Sequence, residues 1–281
     1  MKKKYIIVDL DNTLYDWVSF FSISFNAFLD SLSKIIDVDQ SKLIFEFKTL
    51  NQKHHCIERP FTVLELPSVL NKFIGKTKIE LLEKLDEASY IFNYHRKKTL
   101  KLYDTVLDTL VELKKRGYTV IGCTDSPIEN GYYRLMKLGI SDIFLRLYVI
   151  QNDFTGHPNP DVQLKLNPPK ELIKFIPKGK KKPDPRILRY ICQTENIKEA
   201  SSIFIGDSLI KDIYMANQAN ITSVWAEYGT KYNPKHWDFL VKVTHWTNEE
   251  IANDIKLKSQ VHDIHPDYII SKFCEILAFL K

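Results

Sequence analysis

The sequence lacks the patterns that mark several classes of protein. Its 281 residues hold four cysteines, which lie far apart and form no CxxC pair: Cys56, Cys123, Cys192 and Cys274. We therefore expect neither a disulfide framework nor a structural zinc site, and we expect a reducing, cytoplasmic compartment. Basic residues exceed acidic ones only by 40 to 35, an excess too small to indicate a nucleic-acid partner.

Long apolar runs are also missing. Residues 17–29 form the most apolar longer stretch, but about 13 residues with interspersed Ser and Asn fall short of the roughly 18 needed to span a bilayer. The basic start is followed by an apolar run, residues 5–8, that Asp9 interrupts, which is too short for a signal peptide. The sequence therefore predicts neither export nor a membrane partner.

Three short apolar runs dominate the pattern that is present. Residues 5–8, 119–123 and 203–205 are each continuous and each followed at once by polar residues, as in strands that are buried on both faces. Helical periodicity fills the intervals, and residues 222–225 add a fourth run. This alternation predicts an α/β protein with a doubly wound parallel sheet, whose ligands bind at the carboxyl ends of the strands. We expect a last helix from about Asp267.

The first two of these strands are separated by about a hundred residues, far more than a crossover helix needs. Residues 15–100 read as helices throughout, so we expect a small helical domain there, above a core formed by residues 1–14 and 101–281. The predicted helices cover residues 20–32, 41–53, 65–74 and 78–94. Alternation at residues 162–166 favours a small β-rich insertion within residues 151–180.

Asp9 and Asp11 follow the first strand with one residue between them. Because side chains alternate with period two along a strand, both carboxylates can serve one reaction. A carboxylate can attack phosphorus to form an aspartyl-phosphate, and a second one can protonate the leaving oxygen and later deprotonate water. The alternative is that both acids only cap a turn.

A second acidic pair, Asp207 and Asp212, follows the strand that ends at Gly206. Mg²⁺ prefers oxygen ligands and keeps several waters, so Asp9, Asp207 and a main-chain carbonyl can supply its protein ligands. Asp212, one helical turn further on, can orient these ligands or bind through a water. Taken alone, an acidic helix start is more often a cap.

Thr124 ends the second strand, with Asp125 and Ser126 behind it. Its hydroxyl and the backbone N–H groups there can contact phosphate oxygens, although a simple turn threonine fits equally well. Lys182 ends a basic run and precedes a Pro-Asp-Pro turn. Such runs are normally solvated, but a lysine fixed at this position would supply a positive charge to both a nucleophile and a phosphoryl group.

These four segments, in this order, resemble the motifs of the haloacid dehalogenase-like (HAD) hydrolase superfamily. The matching segments are residues 6–14 (IIVDLDNTL), Thr124, residues 182–185 (KPDP) and residues 206–212 (GDSLIKD). The resemblance implies that Asp9 is the nucleophile and Asp11 the general acid/base. Because the dehalogenases lack an acid at the second position, the retained Asp11 makes the chain look like the phosphatase and phosphomutase branches. Residues 15–100 resemble the family's cap, which closes over the substrate.

The resemblance also implies the remaining roles. Thr124 and Lys182 would stabilise the phosphate and the intermediate, and Mg²⁺ would be bound by Asp9, Asp207 and the Asp11 carbonyl, with Asp212 behind them. Asn220 replaces a glycine that relatives usually carry after the helix at residues 213–219; asparagine tolerates the left-handed conformation next best.

We therefore expect a Mg²⁺-dependent phosphatase acting on a small phosphorylated metabolite. A phosphomutase or phosphotransferase would use the same residues, and a non-catalytic binding protein could keep the fold. In the polar loop of residues 51–60, His54, His55 and Arg59 are candidates for substrate contacts beyond the phosphate, with ordinary exposed loop residues as the alternative.

Overall fold

A computed structural model describes residues 4–151, 156–161, 167–247 and 264–280. Its centre is a parallel sheet of seven strands in the order β4-β3-β2-β1-β5-β6-β7. The strands are β1 (Lys4–Val8), β2 (Tyr118–Pro127), β3 (Phe144–Ile150), β4 (Ile173–Phe175), β5 (Ser202–Gly206), β6 (Thr222–Ala226) and β7 (Tyr268–Ile270). The predicted α/β class with a parallel, doubly wound sheet is confirmed.

The continuous apolar run of β1 follows from its central position in the sheet. Ile6 and Val8 pack into the core on one face, whereas Ile7 packs into the core on the other. Since neither face meets water, alternation with polar residues would bury unpaired polar groups. β1 lies between β2 and β5, so the carboxyl ends of these three strands are neighbours.

Helices cover both faces of the sheet. α6 (Val106–Lys115) and α7 (Ile128–Lys137) pack on one face, and α8 (Arg186–Thr194) and α9 (Tyr214–Gln218) pack on the other. Asn220 lies two residues after the end of α9 and has a φ of 58°, the left-handed conformation expected of its position.

The helix predicted from Asp267 is wrong at its start. Residues 268–270 form β7, which pairs in parallel with Val224, Trp225 and Ala226 of β6. Helical structure begins at Phe273, and the last helix covers only Ile276–Phe279. The apolar spacing from Phe273 onward is helical, but the two β-branched residues before it gain more by pairing with an open sheet edge.

A second core forms outside the sheet, from helices between β1 and β2. They are α1 (Trp17–Ile36), α2 (Gln40–His54), α3 (Pro67–Lys72), α4 (Lys78–Lys84) and α5 (Asp86–Thr99), with a 3₁₀ turn at Thr62–Glu65. Their apolar sides meet in one cluster, as the predicted helical pattern requires. None of the described helices is both long and apolar enough to cross a membrane.

Helix α10 (Pro234–Val243), which follows β6 in the chain, also packs into this helical cluster. Leu240 and Val243 are buried in it, and the Asn51 side-chain amide donates to the Val243 carbonyl at 2.7 Å. The cluster is thus built from two distant parts of the sequence. The division into residues 15–100 and the remainder stays a prediction.

The insertion expected across residues 151–180 also stays a prediction. Its alternating segment, residues 162–166, lies outside the described residues. Within the described part, Ile173–Phe175 forms the edge strand β4, which pairs with Leu147, Tyr148 and Val149 of β3.

Two phenylalanines on α2 allow a matched test of the helical cluster. Phe47 is 3% exposed and meets Phe25 edge-on at 4.9 Å between ring centroids, whereas Phe45 is 70% exposed. We expect Phe47→Ala to lower the free energy of unfolding by about 3–5 kcal/mol, and Phe45→Ala to change it by less than about 0.5 kcal/mol. Chemical denaturation measures both. Equal losses would contradict this packing.

Candidate active site

Polar side chains from β1, β2 and β5 come together on the side of the sheet where the parallel strands have their carboxyl ends. Asp9 follows β1, and its backbone N–H donates to the Ile205 carbonyl of β5 at 2.9 Å. Thr124 lies in β2, which continues to Pro127 and does not end at Thr124 as predicted, and Asp207 follows β5. All three sit where a parallel sheet presents its binding crevice.

Lys182 is the cation at the centre of the site. Its side chain is buried, and Nζ donates to Asp9 Oδ1 at 2.5 Å and to Asp212 Oδ1 at 2.8 Å. Its backbone N–H donates to the Asp125 carboxylate at 3.2 Å, so Asp125 fixes the loop that delivers the lysine. The neighbouring lysines of the basic run do not share this burial.

Three carboxylates crowd around one spot. Oxygens of Asp9, Asp207 and Asp212 all lie within 4.8 Å of one another. Asp212 reaches this spot because position 206 is glycine: a Cβ there would lie 2.4 Å from the Asp212 carboxyl carbon. Its second oxygen accepts the Ser208 N–H at 3.0 Å, so protein donors engage both Asp212 oxygens.

The pKa shifts in the cluster reflect the crowding of three carboxyl groups around one ammonium. Burial raises the pKa of Asp9 to about 7, although Lys182 acts in the opposite direction. Burial and the Asp212 and Asp9 carboxylates raise the pKa of Asp207 well above its usual range. Burial alone would lower the pKa of Lys182, but Asp212 and Asp9 outweigh it and raise that pKa well above 10.5. One ammonium therefore does not balance three carboxylates.

This donor set fits a hard divalent cation. The ligand atoms are carboxylate oxygens, which Mg²⁺ prefers, and a cation would offset their mutual repulsion. Within the described parts of the chain, no donor contacts the Asp207 carboxylate, while Trp225 Nε1 holds its backbone carbonyl at 2.7 Å. The Trp225 contact thus fixes the Asp207 backbone and leaves both carboxylate oxygens available.

Asp11 lies beside this cluster and has other partners. Arg134 donates to its Oδ1 and the Ser126 hydroxyl to its Oδ2, both at 2.8 Å. Thr124 Oγ1 accepts the Ser126 N–H at 3.0 Å, which leaves the threonine hydroxyl proton available for an incoming oxygen. Asp9 and Asp11 are therefore held by different cations.

Two residues of the site were not identified from the sequence. Arg134 lies on α7 and is fully buried, and it pairs with both Asp11 and Glu58. The loop predicted over residues 51–60 begins only after α2 ends at His54, and Glu58 lies in this shorter loop. An arginine ten residues after Thr124 carries no local signal, because only the packing of α7 against β2 and β3 turns it inward.

The three residues predicted to contact the substrate beyond its phosphate, His54, His55 and Arg59, have other contacts in the structure. His54 Nε2 lies 2.9 Å from Glu65 Oε2, and Arg59 pairs with the other oxygen of Glu65. His55 ends α2 in an exposed position with φ of 50°. None of the three contacts the described residues of the acidic cluster, whereas Glu58, in the same loop, reaches Arg134.

Known proteins resemble the chain along most of its length. A family model described as haloacid dehalogenase-like hydrolase matches residues 3–220. The phosphoglycolate phosphatase of Colwellia psychrerythraea is 29% identical over 82% of this chain and 87% of its own. The glyceraldehyde 3-phosphate phosphatase of Pyrococcus furiosus is 28% identical, but that match spans only 50% of each protein. The 2-haloacid dehalogenase structure from Pseudomonas syringae covers 98% of this chain and 97% of its own, with 18% identity and a TM-score of 0.60, which shows a shared fold.

Gly229 tests how tightly the site loops pack. A Cβ at this position would lie 2.0 Å from the Asn12 carbonyl oxygen and 2.7 Å from Asp207 Cβ. We expect Gly229→Ala to lower the free energy of unfolding by about 1–3 kcal/mol, because backbone must shift. Gly156→Ala is the control, since its Cβ would meet nothing within 4 Å among the described residues. Unchanged stability of Gly229→Ala in denaturation would contradict the contact.

Proposed function

Because the chain belongs to the haloacid dehalogenase-like hydrolase family, we propose that it is a phosphatase that hydrolyses a small phosphomonoester through an aspartyl-phosphate on Asp9. The observation that carries the proposal is the contact of buried Lys182 with Asp9 and Asp212 beside Asp207, with a second acid, Asp11, next to the nucleophile. An acid at this second position suits protonation of an ester oxygen.

The relatives support the substrate class. The two relatives compared by sequence above are named as phosphatases of phosphoglycolate and of glyceraldehyde 3-phosphate, which favours a small phosphorylated metabolite as substrate. We propose no nucleic acid or membrane as partner. The four cysteines are unpaired, which favours a reducing, cytoplasmic compartment.

In the first step, a carboxylate oxygen of Asp9 attacks phosphorus and the ester P–O bond breaks. The electron pair stays on the leaving oxygen, which takes a proton from Asp11. Lys182 touches Asp9 at 2.5 Å, so it orients the nucleophile and offsets the charge on the transferred group. The Thr124 hydroxyl is positioned to donate to a phosphoryl oxygen.

In the second step, water loses a proton to Asp11 and attacks the same phosphorus. The bond to Asp9 breaks, phosphate is released and both carboxyl groups return to their starting states. Asp11 thus serves as acid and then as base, which requires that one of its oxygens can both give and accept a proton.

Mg²⁺ would be held by Asp9, Asp207 and the Asp11 carbonyl, with Asp212 behind them. When bound, it supplies positive charge that neutralises the phosphoryl oxygens during transfer. Asp212 suits a supporting role, because its two oxygens already accept hydrogen bonds from Lys182 and Ser208.

Residues 15–100 would act as a cap that excludes water from the reaction. The support is the Glu58 loop, which reaches from the helical cluster to Arg134 at the site. His54 and Arg59 would contact the substrate only after a rearrangement that breaks their pairs with Glu65, and His55 only after it turns from its exposed position toward the site.

Metal binding can be tested without catalysis. After removal of divalent cations with a chelator, we expect calorimetric titration with MgCl₂ to show one site, and Asp207→Asn to weaken it by at least about tenfold. Asp142→Asn is the control, because Asp142 is exposed and precedes β3, at the amino-terminal ends of the strands, whereas the site lies at their carboxyl ends. Equal affinity in wild type and Asp207→Asn would contradict the ligand assignment.

The nucleophile is tested by phosphate release from 4-nitrophenyl phosphate with Mg²⁺. We expect Asp9→Asn to lower turnover by at least about 10³-fold, with an unchanged circular dichroism spectrum, and Asp142→Asn to retain activity. Substantial activity in Asp9→Asn would refute the assignment.

Two rival functions are separated by the same assay. If wild-type protein releases no phosphate from any ester in a screen of nucleotides, sugar phosphates and phosphoglycolate, a non-catalytic role is favoured. If phosphate appears on an added sugar hydroxyl in place of water, the chain is a phosphotransferase or phosphomutase.

A further inference from the structure

A fully buried arginine lies between two carboxylates beside the proposed nucleophile. Arg134 is 0% exposed. One terminal nitrogen donates to Asp11 Oδ1 at 2.8 Å and to Ser126 Oγ at 3.2 Å, and the other donates to Glu58 Oε1. The mechanism above uses Asp11 and leaves Arg134 without a role.

Burying a guanidinium in this position is costly. An ion removed from water loses several kcal/mol of hydration, which is recovered only when its partners are well placed. Here Arg134 Nε has no acceptor among the described residues, so part of the cost is not recovered. A hydrophobic side chain would fill the space between α7 and the sheet more favourably, which favours a role in positioning Asp11 over one in stability alone.

The donors around Asp11 are not equivalent. A guanidinium has only donors and does not lose its proton, so Asp11 Oδ1 always faces a donor there and cannot present a proton to it. The Ser126 hydroxyl on Oδ2 can rotate and either donate or accept. Arg134 therefore fixes the plane of the Asp11 carboxyl group and leaves Oδ2 as the oxygen for proton transfer.

Glu58 in turn holds the arginine. Its second oxygen accepts Trp17 Nε1 at 3.3 Å, and its backbone carbonyl accepts Asn130 Nδ2 at 3.3 Å. A loop of the helical cluster is thus attached both to α1 and to α7. The order of contacts runs from Glu58 to Arg134 to Asp11.

We propose that Arg134 is a positioning residue for the proton transfer by Asp11, and that Glu58 holds the guanidinium in the orientation this requires. The inference rests on the proposed function, since it assigns Asp11 as the acid that protonates the leaving oxygen. Neither residue touches the phosphoryl group.

Leaving-group dependence separates positioning from a general loss of structure. Phenyl phosphate has a basic leaving oxygen that needs protonation, whereas 4-nitrophenyl phosphate has a much better leaving group. We expect Arg134→Gln to lower kcat/KM for phenyl phosphate by about 10²-fold, and for 4-nitrophenyl phosphate by less than about fivefold. A smaller active fraction would lower both equally.

Conservative variants keep the test decisive if Arg134→Gln does not fold. Arg134→Lys retains a donor and Glu58→Gln retains an acceptor, but each loses the paired geometry. We expect each variant to lower the ratio of kcat/KM for phenyl phosphate to kcat/KM for 4-nitrophenyl phosphate by roughly tenfold. Arg146→Gln is the matched control: Arg146 also lies between two glutamates, Glu195 at 3.5 Å and Glu171 at 3.9 Å, but on β3. It should leave the ratio unchanged.

A double-mutant cycle completes the test. In an Asp11→Asn background, Arg134→Lys should not change the ratio further, because the group it positions is absent. Equal losses for both esters in the Arg134 and Glu58 variants, with active wild-type protein, would overturn this inference. If wild-type protein cleaves neither ester, the failure lies in the proposed function instead.

Discussion

The site depends on the contact of one buried ammonium, Lys182, with the carboxylates of Asp9 and Asp212. Without it, three buried or half-buried carboxylates with oxygens within 4.8 Å of one another would repel with little screening by solvent. The contact also joins three parts of the chain: the end of β1, the loop before α8 and the turn after β5. Two neighbouring features hold these parts in place. Asp125 accepts the Lys182 backbone N–H, and Gly206 leaves room for the Asp212 carboxyl group.

A second buried cation repeats this arrangement beside the first. Arg134 pairs with Asp11 and Glu58 as Lys182 pairs with Asp9 and Asp212. Although Asp9 and Asp11 are only two residues apart, β1 ends at Val8, so the period-two geometry of a strand does not continue to Asp11. Their side chains therefore reach different cations. The separation suits two acids with different tasks, one attacking phosphorus and one carrying a proton.

The match between prediction and structure differs from element to element. The three apolar runs became β1, β2 and β5 because burial on both faces leaves a strong local pattern. The last helix was wrong at residues 268–270 because a free edge of the sheet overrides helical spacing over three residues. In the loop of residues 51–60, charge and loop position did not distinguish Glu58, which reaches the site, from Arg59, which pairs with Glu65.

The sequence by itself determined the class of fold, the order of the motifs and the family, because strand burial, glycine turns and acidic strand ends are local features. Only the tertiary structure decided that Arg134 is inside, that Glu58 faces it, and that α10 completes the helical cluster. These contacts join residues separated by 76, 123 or 192 positions, and no local pattern encodes which distant partner a buried charge or amide will meet.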